Sequence, residues 1–207
     1  MEEVHVHCHK NNTPSARMIV RNGGVLESEG DYQGQPIQRY LIQALPARLM
    51  GGASPMTDDI TTIYAYRQAS PDVATSGQPR EHHFPAIAAA NYSTVINLAL
   101  HDDKRYALPD EARTVQRLGM TYVHIPVQFG NPTAADLAAF MDAMHEHGGE
   151  KIWVHCAANM RVTAFLGLYR IIRQGWDTDR AFELMNTVWK PDPVWEAFIS
   201  AQLKGQP

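Results

Sequence analysis

Cysteine is scarce: the 207 residues hold two, Cys8 and Cys156, too few for a disulfide framework. A chain this poor in cysteine suits a reducing compartment, and a cytoplasmic setting is the simplest expectation. Long hydrophobic runs are also missing, since no stretch approaches the roughly 20 apolar residues that a membrane-spanning helix needs. Met1-Glu2-Glu3-Val4-His5 has neither the basic nor the apolar region of a secretory signal. Positive charge is not in excess, with 18 Lys and Arg against 22 Asp and Glu, and the formal net charge is −4. That balance offers no basic patch to a phosphate backbone, so nucleic acid is not an expected partner.

Metal-ligand spacing is absent too. In His5-Val6-His7-Cys8-His9 the histidines alternate by two, which closes no tetrahedral site without distant partners, and only adventitious binding is expected there. His145 and His147 are two apart on a predicted helix and point different ways. His82 and His83 are adjacent near a helix start, where solvation is the simplest reading. No metal and no other cofactor is expected.

What is present is enough apolar sequence, 44% of the chain, for one core of ordinary size. Composition changes near residue 55. Residues 1–55 hold six of the 14 glycines and four of the 13 prolines, with five basic residues against five acidic. This segment reads as a weakly structured N-terminal extension, and Met56 as a candidate alternative start. Within it Ile37, Tyr40, Leu41 and Ala44 lie at helical spacing until Pro46. Residues 56–207 read as one α/β domain with a central, mostly parallel sheet flanked by helices. Strands are expected at 60–66, 94–100 and 121–127, and helices at 81–90, 109–118, 178–189 and 194–203. Thr133 with Asp136 forms a capping box, ahead of an apolar face of Leu137, Phe140, Met141 and Met144 that ends at Gly148-Gly149.

The most informative segment is His155-Cys156-Ala157-Ala158-Asn159-Met160-Arg161. Before it, 151–154 reads as a short buried strand; after it, 162–172 is apolar enough for a core helix. A cysteine on such a turn faces the N–H groups and dipole of the helix start, which favour a thiolate or a bound oxyanion. Arg161 adds a planar fork of donors suited to tetrahedral oxyanions. Ala157, Ala158, Asn159, Met160 and Arg161 are the candidate anion cradle, with Cys156 as nucleophile. His155 is a candidate for orienting the loop. Thr163 either assists the leaving thiolate or bonds back to helix carbonyls.

This pattern resembles the signature of the cysteine-dependent protein tyrosine and dual-specificity phosphatases. Thr75-Ser76-Gly77-Gln78-Pro79, Val95-Ile96-Asn97-Leu98 and His124-Ile125-Pro126-Val127 resemble, in order, motifs of the small bacterial phosphatase-like members, across roughly residues 58 to 200. The resemblance implies their fold, a cysteinyl-phosphate intermediate, and a phosphorylated protein or small phosphorylated molecule as partner. Two departures stand out. Four residues, not five, separate Cys156 from Arg161, and the loop lacks glycine. The position implied for the general acid is Gln128, which cannot donate a proton in that role. Asp102, Asp103, Asp110 and Glu111 are possible substitutes, in a loop or helix start after a strand. Trp189-Lys190-Pro191-Asp192 reads as a helix end. Without an acid, aryl phosphates such as phosphotyrosine are favoured over alkyl ones. The alternatives are a rhodanese-like sulfurtransferase, whose loop has the shorter length, and a pseudophosphatase that binds phosphorylated ligands.

Overall fold

The computed structural model describes residues 3–10, 16, 25–32, 34–43, 59–101 and 107–204. The chain divides into two units, Met1–Pro55 and Met56–Pro207. The first contains β1 (Glu3–His9), β2 (Val25–Tyr32) and β3 (Gln35–Gln43), an antiparallel sheet in the order β1-β3-β2. This corrects the expectation of a weakly structured extension, and Ile37, Tyr40 and Leu41 of the expected helical spacing lie in a strand, while Ala44 is outside the described residues. Strand partners lie up to 40 residues apart, as in Glu3 against Gln43, and local spacing carries no record of such pairing. Lys10 to Glu29 at 2.6 Å and Gln38 to Glu29 at 3.1 Å tie the three strands together at one end.

The second unit opens with a 3₁₀ turn, Ile60–Thr62, where a strand was expected. Asp59 accepts bonds from the Thr61 amide and hydroxyl at 2.9 and 2.7 Å, a local closure that competes with extended chain. Strands β4 (Arg67–Ser70) and β5 (Val73–Ser76) then form a hairpin. A second 3₁₀ turn, Glu81–His83, leads into α1 (Phe84–Ala89), followed by β6 (Thr94–Asn97), α2 (Glu111–Arg117) and β7 (Thr121–His124). Next come α3 (Ala134–Glu146), β8 (Ile152–His155), α4 (Met160–Gln174), α5 (Thr178–Asn186) and α6 (Pro193–Lys204). The capping box of α3 is present in full, with Thr133 and Asp136 exchanging bonds at 3.0 and 3.1 Å. Asp192, in the segment read as a helix end, instead accepts the Val194 and Trp195 amides and starts α6.

Sheet order is β4-β5-β8-β6-β7, parallel except for β4. β8 is central, so both of its faces are covered and the run Ile-Trp-Val is wholly apolar. Alternation then sorts its side chains. Ile152, Val154 and Cys156 join the larger core with Phe140, Phe165, Leu168 and Trp195. Trp153 joins the opposite core, with Phe84, Ile87 and Val115. The indole is fully buried between Tyr66 and Tyr92, and its Nε1 donates to Ser76 Oγ at 3.1 Å. Register places the end of β8 between Ser76 and Asn97, both opposite His155. Among the described residues no helix is long and apolar enough to cross a membrane.

Candidate active site

Everything in the candidate site hangs on the turn from β8 into α4. The His155 carbonyl accepts from Leu98 N at 2.8 Å and Cys156 N donates to the Ser76 carbonyl at 3.3 Å, so both neighbouring strands grip the loop. Cys156 itself is 1% exposed. The reversal falls at Asn159, with φ 63° and ψ 2°, the left-handed conformation that glycine would otherwise supply. Asparagine is held there by its own amide, which donates to Ala65 O at 2.8 Å and Thr75 Oγ1 at 2.9 Å. A loop without glycine is therefore compatible with a tight turn. Glycine is instead required at Gly77, bridged to Ala158 of the loop, where a Cβ would sit 2.8 Å from the Ala157 carbonyl oxygen and 3.0 Å from that of Tyr64. Gln78 N binds that same Ala157 carbonyl at 3.2 Å.

Arg161 lies in the first turn of α4, where its own charge is disfavoured by the helix dipole. It is 4% exposed, and Nη1 donates to the Leu98 carbonyl at 3.0 Å and the Val127 carbonyl at 2.8 Å. These carbonyls close the carboxyl ends of β6 and β7. Nε is buried with no acceptor among the described residues. An unmatched donor on a buried guanidinium is costly unless a ligand supplies the acceptor. Anchoring through Nη1 leaves the Nε–Nη2 edge of the fork for an oxyanion.

His155 is fully buried and its Nε2 lies 2.8 Å from Glu111 Oε1, itself on a carboxylate without solvent exposure. Glu111 also accepts from Gln78 Nε2 at 2.5 Å and Asn97 Nδ2 at 3.1 Å. Burial alone would raise its pKa, but the facing His155 and the hydrogen bonds from His155 and Gln78 outweigh it and hold the carboxyl below the usual range. Asn97 reaches Tyr122 Oη at 3.0 Å, and His101 Nε2 meets the same hydroxyl at 3.1 Å. Burial, helped by the Glu111 charge, pushes the Tyr122 phenol well above its ordinary value. Burial and the stacked His124 ring, with centroids 4.0 Å apart, push His101 down. A buried polar chain thus runs from the exposed His101 to the residue before the cysteine.

The acid candidates sort differently. Gln128 is exposed on the loop after β7, whose carbonyls at Val127 and Phe129 are taken by Arg161 and by Trp195 Nε1 at 2.9 Å. Glu111 is fully buried, its carboxylate bonded to His155, Gln78 and Asn97 rather than turned to the mouth of the loop. Asp110 is exposed before α2 and makes no capping bond, while Asp102 and Asp103 lie outside the described residues. Asp136 is the partner of Thr133. The Thr163 hydroxyl lies 2.9 and 3.1 Å from the carbonyls of Asn159 and Met160, the back-bonded alternative. Gln78 and Asn97 were not singled out as individual side chains. The signal available was Asn97 closing a buried apolar strand, a polar residue that needs partners.

Residues 63–194 match the family described as a DSP-PTPase phosphatase fused to NAD+ kinase. A crystal structure of a DUF442 candidate phosphatase from Shewanella putrefaciens CN-32 is similar at 35% identity and TM-score 0.63, over 70% of this chain and 95% of that one. TpbA of P. aeruginosa shares the fold at 20% identity and TM-score 0.53, over 70% and 86% of the two chains. PTPMT1, seen in complex with PI(5)P, shares it at 17% and 0.57, over 67% and 94%. No curated protein matches significantly. The chain belongs to the cysteine-dependent tyrosine and dual-specificity phosphatase-like family, whose members are phosphoric monoester hydrolases.

Proposed function

We propose that the protein hydrolyses phosphate monoesters through a cysteinyl-phosphate on Cys156, in a cytoplasmic setting, with aryl phosphates preferred. The observation that carries this reading is the buried Nε of Arg161 beside the cysteine loop, a cationic donor without an acceptor among the described residues. The Cys156 thiolate attacks phosphorus in line with the ester oxygen, the P–O bond breaks, and the oxygen departs as a phenolate or alkoxide that takes its proton from water. Arg161 and the amides of residues 157–161 hold the equatorial oxygens, where charge builds in the transition state. Water then attacks phosphorus, expelling the thiolate and releasing inorganic phosphate. His155, fixed by Glu111, positions the loop and transfers no proton.

With Gln128 at the acid position, the departing oxygen must leave with little help. A phenolate tolerates that far better than a serine or threonine alkoxide, hence the aryl preference. Slow turnover with tight oxyanion binding is the second reading, and the same exposed Gln128 favours it. Phosphate release from an aryl phosphate, compared between wild type and Cys156→Ser, tests the proposal. Turnover that vanishes in the variant while vanadate still binds supports a cysteine phosphatase. Equal rates in both proteins would overturn it, and no turnover with retained vanadate binding would leave the binding module. Thiosulfate-dependent persulfide formation on Cys156 would point to the sulfurtransferase.

A further inference from the structure

Helix α4 starts at the cysteine loop and carries Arg170 nine residues beyond Arg161, roughly 13 Å further along its axis at 1.5 Å per residue. There it borders an open cavity of about 370 Å³, walled by Arg170, Trp176, Arg180, Glu183, Leu184 and Thr187. Arg170 is 7% exposed, yet the one hydrogen bond of its guanidinium to the described residues is from Nη2 to the Ala69 carbonyl at 2.8 Å. No carboxylate among the described residues forms an ion pair with it or with Arg180. Both guanidiniums lie over the same indole, at 4.7 Å and 4.2 Å from the Trp176 ring centroid. Arg67 binds Thr187 through Nε and Nη2, each at 3.0 Å, and brings a third positive charge to that wall. Among the described residues that line the cavity, Glu183 is the one carboxylate.

Buried charges in proteins are paired, because burial strips their hydration. Burial and the neighbouring Arg180 lower the Arg170 pKa, and Glu183 offsets this only in part. A cation–π contact alone would clip α4 to α5 with one arginine on Trp176. Two like charges on one ring, with Arg67 close by and a single carboxylate, Glu183, on the wall, leave an excess of positive charge beside an open cavity. The phosphatase chemistry uses neither arginine.

We propose that this cavity is a second anion site, separate from the Cys156 loop, for a small phosphorylated or carboxylated ligand. Its oxyanion sits against Arg170 and Arg180, with planar forks suited to paired oxygens. The site does not depend on the phosphatase reading and stands or falls without it.

The test uses the full ¹⁵N-labelled chain and follows the Trp176 indole N–H resonance, assigned by its loss in Trp176→Phe. Inorganic pyrophosphate and citrate are the probes, with potassium chloride at matched ionic strength as control. A saturable shift with either probe is expected in wild type and in Arg161→Ala, with at least tenfold weaker affinity in Arg180→Gln. Saturation by pyrophosphate alone assigns a phosphate ligand, and by citrate alone a carboxylate. Arg180→Gln, on an exposed side chain, avoids the folding risk of replacing Arg170, and its aryl phosphatase rate should stay within twofold of wild type. A shift no larger than the chloride control, an unchanged affinity in Arg180→Gln, or loss of the shift in Arg161→Ala would overturn the proposal.

Discussion

Glu111 offers the sharpest quantitative test. Its carboxylate has no solvent exposure and accepts from His155, Gln78 and Asn97. Removing this carboxylate strands three buried or part-buried hydrogen-bonding partners at about 1–3 kcal/mol apiece, so a loss of about 3–5 kcal/mol is expected even after partial relaxation. For Glu111→Ala this predicts a melting temperature lower by roughly 6–20 °C, at 2–4 °C per kcal/mol for a chain of this size. Glu111→Gln keeps an acceptor for His155 but turns an amide donor toward Gln78, and a loss of about 1–3 kcal/mol follows. The pH dependence separates charge from shape. The folded pKa of Glu111 is depressed, so its stabilisation is fully present above the unfolded value of about 4.3 and lost as pH falls through the folded value. Melts followed by circular dichroism from pH 7 to pH 3 should show the gap between wild type and Glu111→Gln closing toward acid. A gap that stays constant, or no gap at pH 7, would refute the argument that an ionised Glu111 supports the loop.

Three further outcomes follow from the same geometry. Gly77→Ala pushes a Cβ to 2.8 Å from the Ala157 carbonyl; a loss of about 1–3 kcal/mol is expected from overpacking, with weaker vanadate binding, measurable by urea melts and by inhibition. Asn159→Ala combines a left-handed backbone penalty of about 1–2 kcal/mol with two lost side-chain bonds, whereas Asn159→Gly loses only the bonds. Urea midpoints should therefore fall in the order wild type, Gly, Ala, and Ala above Gly would contradict the turn assignment. Gln128→Asp restores a proton donor and should raise phosphate release from alkyl esters about 10- to 100-fold, and from aryl esters much less. Equal gains on both esters would show that leaving-group protonation is not what the wild-type loop lacks.

Much of the second unit was legible in the sequence because its cues are local. The capping residues Thr133 and Asp136, the apolar run of β8 and the helix after Cys156 all act within a few positions. The hairpin β4–β5 was not legible, since Thr75 and Ser76 look like turn residues until their partners are known. The sheet of residues 3–43 was missed for the same reason. Glu111 illustrates the limit at the site itself: at a helix start an acidic residue is explained by the dipole, and nothing nearby in sequence points to His155, 44 positions away.

The sequence by itself determined the α/β class, the strand-loop-helix placement of Cys156 and Arg161, and the absence of an acidic residue at Gln128. These rest on periodicity, spacing and residue chemistry, which a linear chain displays. Only the tertiary structure decided which Arg161 nitrogen is anchored and which is open, that Asn159 stands in for glycine, and that Glu111 belongs to His155. Only there, too, do Arg170 and Arg180 meet on one indole. Each of these depends on side chains brought together across strands and helices, where burial turns an ordinary polar group into one that must find a partner.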